Sequence, residues 1–343
     1  MRLVIPSYYE RFRCLASSCP DSCCKEWDVE VDEASAVYYR TLSGPLGDRL
    51  RAVLKDTENG TVILQENCRC PMWREDGLCR IQAQLGEQAL CRVCRDFPRI
   101  SHDYGDFIEL GLELSCPEAA RLILTAPPEP SFSQEIPGGS APEYDQSAMD
   151  ILRSSRNALC ELLLNERYTL PERLAILLIY STQVERALLD GSPAYLKPDL
   201  CLETARQLAA ESCVAMLLDF YAGLEILTPT WQERLNAPQG ATWPPEIAAL
   251  ARYGIDRYWL QAVLDGEVWA RAKLIIASCL VVNALGGDVI ATAQLYSKEV
   301  ENDPENVDAI LDGAYASPAL TDANLLGLLL GSPKAVKFFQ KDP

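Results

Sequence analysis

The sequence predicts a mainly α-helical protein with a small β element, in which a cysteine-rich metal-binding N-terminal unit is followed by an all-α helical unit. Three observations predict it. Ten of the 14 cysteines (14, 19, 23, 24, 68, 70, 79, 91, 94 and 116) fall in the first 116 residues. Short runs with period-two alternation are confined to that same stretch, whereas from Asp145 onward apolar residues recur at helical spacing. Residues 126–144, with five prolines and the pair Gly138-Gly139, stand between the two patterns. The expected organisation is a cysteine-rich iron–sulfur-binding domain over 1–125, a linker or loop over 126–144, and a helical domain over 145–343.

Asp32 stands in N-cap position before a run from Glu33 to Arg40 with apolar residues at helical spacing, and Gly44-Pro45 ends it. A second helix is expected over 46–55, stopping before the turn signal Asn59-Gly60. Residues 61–65 read as a short strand, 80–90 as a helix, and 106–114 as a second strand by alternation. Pro117 opens another helix directly after Cys116, since proline suits a first helical turn. Helices are then expected over 146–166, 171–189, 199–226, 246–253, 256–264, 267–286, 288–300, 304–314 and 322–331, punctuated by Gly191, a proline-rich segment over 228–245, Gly266, Gly286-Gly287, Pro304 and Pro318. No internal repeat at a fixed period is present.

A chain of 343 residues, 48% hydrophobic and 23% charged, is long enough for one large core or two ordinary ones. The net charge of -18 argues against nucleic acid, because phosphate neutralisation needs clustered cations. The residues after 126 carry -13 of it. The N-terminal residues lack the apolar core of a signal peptide, and the expected setting is cytoplasmic and reduced. The best apolar run, 274–285, falls short of a membrane span, so no membrane partner is expected and the run reads as a buried helix. In a reduced compartment clustered cysteines point to metal, and a single histidine removes the mixed Cys/His zinc patterns. Only one C-x2-C knuckle, Cys91 to Cys94, is present, which favours iron–sulfur over zinc. A radical-SAM triplet is missing, since Glu26 stands where a third cysteine would follow Cys19 and Cys23. No glycine-rich phosphate loop of the Rossmann type is present either.

The residues Pro6, Tyr8, Phe12, Cys14, Cys19, Asp21-Ser22-Cys23-Cys24, Trp27, Val29 and Asp32 are followed by Cys70-Pro71, Gly77-Leu78-Cys79, Ile81, Leu85-Gly86, Cys94, Phe97-Pro98-Arg99 and the run from Leu114 to Arg121. In this order and spacing, over residues 6 to 121, they resemble the N-terminal half of the flagellin lysine-N-methylase family. The second half resembles the family more weakly, through its helical character and the segment from Tyr296 to Asn306 with Leu311. The resemblance implies a [4Fe-4S] cluster and transfer of methyl groups from S-adenosylmethionine to lysine ε-amines of flagellin. It implies a pool of eight shared cysteines for the metal, Cys14, Cys19, Cys23, Cys24, Cys70, Cys79, Cys94 and Cys116. Cys68 and Cys91 are extras relative to that pattern. Closure of long loops ranks Cys19, Cys23, Cys94 and Cys116 ahead within the pool.

Methyl transfer to lysine requires a cationic donor, an uncharged amine held in line, and exclusion of water. With an ordinary lysine pKa of about 10.4, desolvation or a base must remove the proton. Arg92, Arg95 and Arg99, which crowd around Cys94, are candidates for the donor's carboxylate, and Trp27 for its sulfonium; structural salt bridging and packing are their plainer roles. Tyr296, Glu299 and Glu301 are the candidate catalytic groups, and a solvated acidic face is the plainer account of them. His102 is the one histidine, on an expected loop. The competing function is a cysteine-cluster electron-transfer or metal-binding module without methylase activity, or a zinc-stapled interaction protein. Flagellin or another lysine-bearing protein is the expected partner.

Overall fold

The computed structural model describes residues 1–127, 129–240 and 242–331. The last twelve positions of the expected helical domain, 332–343, lie outside the described residues, as do Pro128 in the 126–144 stretch and Ala241 in the 228–245 segment. The protein is mainly helical with small sheets and divides into two compact units, Met1–Ser140 and a second that begins at Ala141.

In the first unit the elements run β1 (Arg2–Ile5), β2 (Val29–Val31), α1 (Glu33–Thr41), α2 (Gly44–Val53), β3 (Leu54–Thr57), β4 (Gly60–Ile63), α3 (Arg80–Leu85), α4 (Arg92–Asp96), β5 (Arg99–Asp103), β6 (Phe107–Leu112), α5 (Pro117–Thr125) and β7 (Phe132–Glu135). They form two sheets, one ordered β5-β6-β1-β7 and one ordered β2-β4-β3. Strand β1 pairs parallel with β6 and antiparallel with β7. Residues 132–135, within the stretch read as a linker or loop, thus serve as an edge strand. The expected helix over 46–55 ends two residues early. Leu54 leaves it to pair with Ile63, and Thr57 pairs with Gly60, because the turn at Asn59-Gly60 closes a hairpin whose ladder outweighs one more helical turn. The helix expected over 80–90 stops at Leu85, where Gly86 adopts φ +84°.

The small sheet is the floor of a core. Val29 and Val31 of β2, Leu54 and Ile63 of its partners, Ala36 and Tyr39 of α1 and Leu50 of α2 are buried together with Met72, Ile81 and Leu90. Asp32 caps α1 by accepting from the Ser35 N–H at 3.1 Å, as its position in the sequence predicts.

The second unit contains α6 (Gln146–Leu163), α7 (Leu170–Asp190), α8 (Pro198–Leu208), α9 (Val214–Ala222), α10 (Pro229–Asn236), α11 (Pro245–Tyr258), α12 (Val268–Leu285), α13 (Val289–Tyr296), α14 (Pro304–Ala316) and α15 (Asp322–Leu330). Helix α7 starts at a capping box between Thr169 and Glu172 and ends at Gly191, whose φ of +70° suits glycine. The expected helix over 199–226 is in fact two, α8 and α9. The Ala210 N–H between them donates to Ala323 O at 3.0 Å, so a distant segment takes over the backbone bond that a continuous helix would use. Conversely, 246–253 and 256–264 are not two α-helices: α11 runs through Gly254, and a 3₁₀ turn over Trp259–Val263 follows.

Helix α12 is long and apolar enough to cross a membrane by length and composition, yet 94% of it is buried within the unit, where it packs against α7, α11 and α14. Its one buried lysine shows how a charge is kept in such a core. Lys273, 1% exposed, donates to Ala314 O at 2.9 Å, pairs with Asp322 at 3.0 Å, and sits 3.4 Å from the centre of the Trp269 ring. Burial lowers its pKa, and Asp322 opposes that shift.

The crossing of α11 and α12 depends on Gly254, because a Cβ there would lie 2.9 Å from Ile275 Cγ1 and 3.2 Å from Cγ2. A Gly→Ala change inside a helix ordinarily stabilises by about 0.5–1 kcal/mol, but overpacking costs about 1–3 kcal/mol. Gly254→Ala is therefore expected to lower stability in urea unfolding by roughly 1 kcal/mol or more; a gain would mean that the helices do not approach this closely.

Candidate functional site

The cysteines of the first unit do not spread evenly. Cys70 and Cys91 are part of the core above the small sheet, at 7% and 2% exposure, and Cys24, Cys79 and Cys94 pack against that core. Backbone bonds place each of them. The Cys70 N–H donates to Cys24 O at 2.8 Å, Glu26 N–H donates to Cys68 O at 3.1 Å, and Trp73 forms a β-bridge with Cys79. Cys79 and Cys91 are the residues immediately before α3 and α4, and Cys94 lies one turn into α4. The ends of this arrangement are tied to α1: Tyr39 donates its hydroxyl to Ala89 O at 2.7 Å, and the Arg92 N–H donates to Asp32 Oδ2 at 2.8 Å.

The thiols interact in pairs. Cys24 donates its S–H to Cys23, which with burial pushes the Cys24 thiol far above its ordinary pKa, and the nearby Cys79 and Cys70 push the same way. Cys94 donates to Cys91 in the same manner and is likewise held far up, while Cys91, as acceptor, is lowered. Burial also raises Cys79, and it raises Cys70 to about 11, with backbone N–H groups at Gln82 and Ile81, and at Met72, opposing. A second set lies toward the chain start. Burial raises Cys116 to about 11, and its nearest thiol neighbours are Cys19 and Cys14; Cys19 in turn senses Cys14 and Cys23. Cys14 is exposed and accepts from the Ala16 N–H at 3.4 Å. The side chain of Cys68 is exposed, and the residue is tied to this region through its carbonyl, which accepts from the Glu26 N–H.

Among the described residues no three Cys, His, Asp or Glu side chains close around one point as a single preformed ion would need. The residues do fit a larger all-thiolate group. The donors are sulfur throughout, they come from several segments, and their thiolates are costly in this dry surrounding unless positive charge lies beside them. Two buried donors in this part of the chain, Trp73 Nε1 and Arg80 Nε, have no acceptor. Of the four cysteines ranked ahead from the sequence, Cys94 belongs to the core set, Cys19 and Cys116 to the other, and Cys23 touches both. Cys91, an extra relative to the family pattern, sits inside the core set. Its two-residue spacing from Cys94 was the visible signal.

Most of the residues proposed for the methyl donor have contacts of their own. Arg95 pairs with its neighbour Asp96 at 3.6 Å, Arg99 lies over the Phe12 ring at 5.2 Å, and Arg92 is exposed. Trp27 packs edge-on against Phe97 at 5.7 Å and donates Nε1–H to Cys23 O at 2.5 Å, which ties it to the thiols through the backbone. His102 lies on strand β5 and not on a loop.

In the second unit Tyr296, Glu299 and Glu301 come together on α13 and the π-helical turn Ser297–Glu301 that follows it. The solvated-face account fails for Glu299, which is 0% exposed and accepts from the Leu227 N–H at 2.8 Å and from the Thr228 hydroxyl. Glu301 accepts from Tyr258 at 2.9 Å and from Tyr253 at 3.1 Å, and Arg257 donates to the Tyr253 oxygen at 2.6 Å. Tyr296 is fully buried 3.3 Å from the Tyr221 hydroxyl, and burial holds its pKa well above the ordinary tyrosine value. It keeps its proton at neutral pH. Sequence reasoning missed the phenols of Tyr253 and Tyr258, which lie more than forty residues from Glu301. The extra residue of a π turn is what lets side chains on one segment face both groups of partners.

The Lysine-N-methylase of Salmonella typhimurium is 33% identical to this chain over 137 residues, 38% of the chain and 34% of that protein. The Lysine-N-methylase of Salmonella choleraesuis is 30% identical over 143 residues, again 38% of the chain and 34% of the relative. The flagellar biosynthetic protein FliU of Salmonella muenchen is 30% identical over 135 residues, 36% of the chain and 76% of FliU. The matched region thus spans about a third of each lysine-N-methylase and most of FliU. No protein-family model and no solved structure matches the chain.

Asn306 holds the π turn in place: it donates to Glu225 O at 3.0 Å and Glu299 O at 2.9 Å, and accepts from the Glu225 N–H at 2.9 Å. Asn306→Ala leaves the buried Glu299 carbonyl and two part-buried backbone groups of Glu225 without this partner and should cost about 1–3 kcal/mol in denaturant unfolding. Asp32→Ala should cost about 1–2 kcal/mol through the lost cap and the lost tie to α4. The Arg92 N–H holds the Asp32 carboxyl below its ordinary pKa. Its contribution is thus complete above about pH 4 and lost as pH falls through the lowered folded value, so the stability gap between parent and Asp32→Ala should close in acid.

Proposed function

The chain belongs to the family of the lysine-N-methylases and FliU, and on that premise we propose that it is a protein-lysine N-methyltransferase that transfers methyl from S-adenosylmethionine to lysine side chains of flagellin. The names of the relatives carry this reading. The convergence of thiols in the first unit supports a [4Fe-4S] cluster as its cofactor, and a reduced cytoplasmic setting suits thiols that are not paired as disulfides. Such a cluster supplies cross-linking of distant segments and a redox-active cationic centre when bound.

The chain's own residues would then divide the work. Cys23, Cys24, Cys70, Cys79 and Cys94 are among the thiols from which a four-thiolate cluster would draw. Glu299 and Glu301 are the carboxylates able to take a lysine proton or hold its ammonium, and the Tyr253 and Tyr258 hydroxyls orient Glu301. Tyr296 keeps its proton.

Mass spectrometry of flagellin co-expressed with and without the protein is expected to show methyl increments on lysines only when the protein is present, and calorimetry to show S-adenosylmethionine binding. Unchanged lysine masses would remove the named substrate. Iron without donor binding would move the assignment to the metal-binding module. Glu301→Gln should reduce turnover by at least tenfold while leaving iron content at the parental level.

A further inference from the structure

We propose that Cys91 supplies a thiolate ligand to the metal centre of the first unit, in one set with Cys70, Cys79 and Cys94, and that Cys14, Cys19 and Cys116 stand outside that set. The inference rests on the cluster reading above and deepens it, because the family pattern does not contain Cys91. The placement is geometric. Cys70 and Cys91 lie in one buried core, and Cys79 and Cys94 pack against it from the starts of α3 and α4. Cys91 is the N-cap of α4 and Cys94 the third residue of that helix, two positions whose side chains lie beside one another at a helix start.

The backbone around Cys91 is unusually well held for a spectator. The residue after it donates to the Asp32 carboxylate at 2.8 Å, and the residue two before it accepts the Tyr39 hydroxyl at 2.7 Å, so α1 grips both sides. A buried cysteine is more often a small apolar filler. Cys91 departs from that role in its company: Cys70 shares its core, and Cys24, Cys79 and Cys94 pack against that core.

The test separates ligand from filler by keeping the volume and removing the sulfur. After anaerobic reconstitution with iron and sulfide, Cys91→Val is expected to fold like the parent by circular dichroism and to retain less than a quarter of parental iron, as Cys79→Ser should. The double variant Cys19→Ser/Cys116→Ser and the control Cys201→Ala should keep the visible absorption of that centre. Parental iron in Cys91→Val overturns the role of Cys91. So does iron lost in the double variant as fully as in Cys79→Ser, which would place all the thiols in one set. A measurement on the unmodified protein covers the case of a Cys91→Val that misfolds: alkylation and mass spectrometry should find Cys91 protected in the iron-loaded form and labelled after chelation, and equal labelling in both forms overturns the proposal. A parent that takes up no iron at all overturns the cluster reading itself, a result distinct from any of these.

Discussion

A thiolate in a dry core persists only where positive charge or hydrogen-bond donors lie beside it. The first unit is organised by that constraint. Its small sheet and two short helices bury enough apolar surface to make an interior, and into that interior they place Cys70 and Cys91, with Cys24, Cys79 and Cys94 against it. In pairs the thiols meet the constraint halfway, one sulfur donating its proton to the next, as Cys94 does to Cys91 and Cys24 to Cys23. Burial still pushes the Cys70 thiol up, so a thiolate there would need positive charge beside it.

The helical unit solves the opposite problem. Helix α12 is apolar on every side, so neighbours must cover all of it, and the polar groups that enter its surroundings are matched one by one. Lys273 finds a carbonyl, a carboxylate and an aromatic face. The π turn after α13 does the same for two carboxylates: Glu299 is met by a backbone N–H and a hydroxyl, Glu301 by two phenols. These pairings leave both carboxylates with hydrogen-bond partners from distant segments.

Much of the first unit was legible because its signals are local. The Asp32 cap, the turn at Asn59-Gly60 and the proline after Cys116 act over a few residues, and each appears where the sequence places it. Misreadings fall where a distant partner decides. Residues 46–55 lost their last turn to a hairpin partner, 199–226 broke where Ala323 accepts a backbone bond, and Gly254 stayed inside one helix because Ile275 of α12 needs the room. Strand β7 carries no strong pattern of its own and exists through pairing with β1.

The sequence by itself determined the helical character of the second unit, the concentration of thiols in the first and the likeness to the lysine-N-methylases, since periodicity, composition and ordered motifs are properties of the linear chain. Only the tertiary structure decided which sulfurs share a core, that Cys91 is one of them and Cys68 is not, and that Glu299 is buried with partners more than seventy residues away. The reason is that grouping of side chains is set by contacts between distant segments, whose closure is governed by packing and hydrogen-bond satisfaction and leaves no periodic trace in the chain.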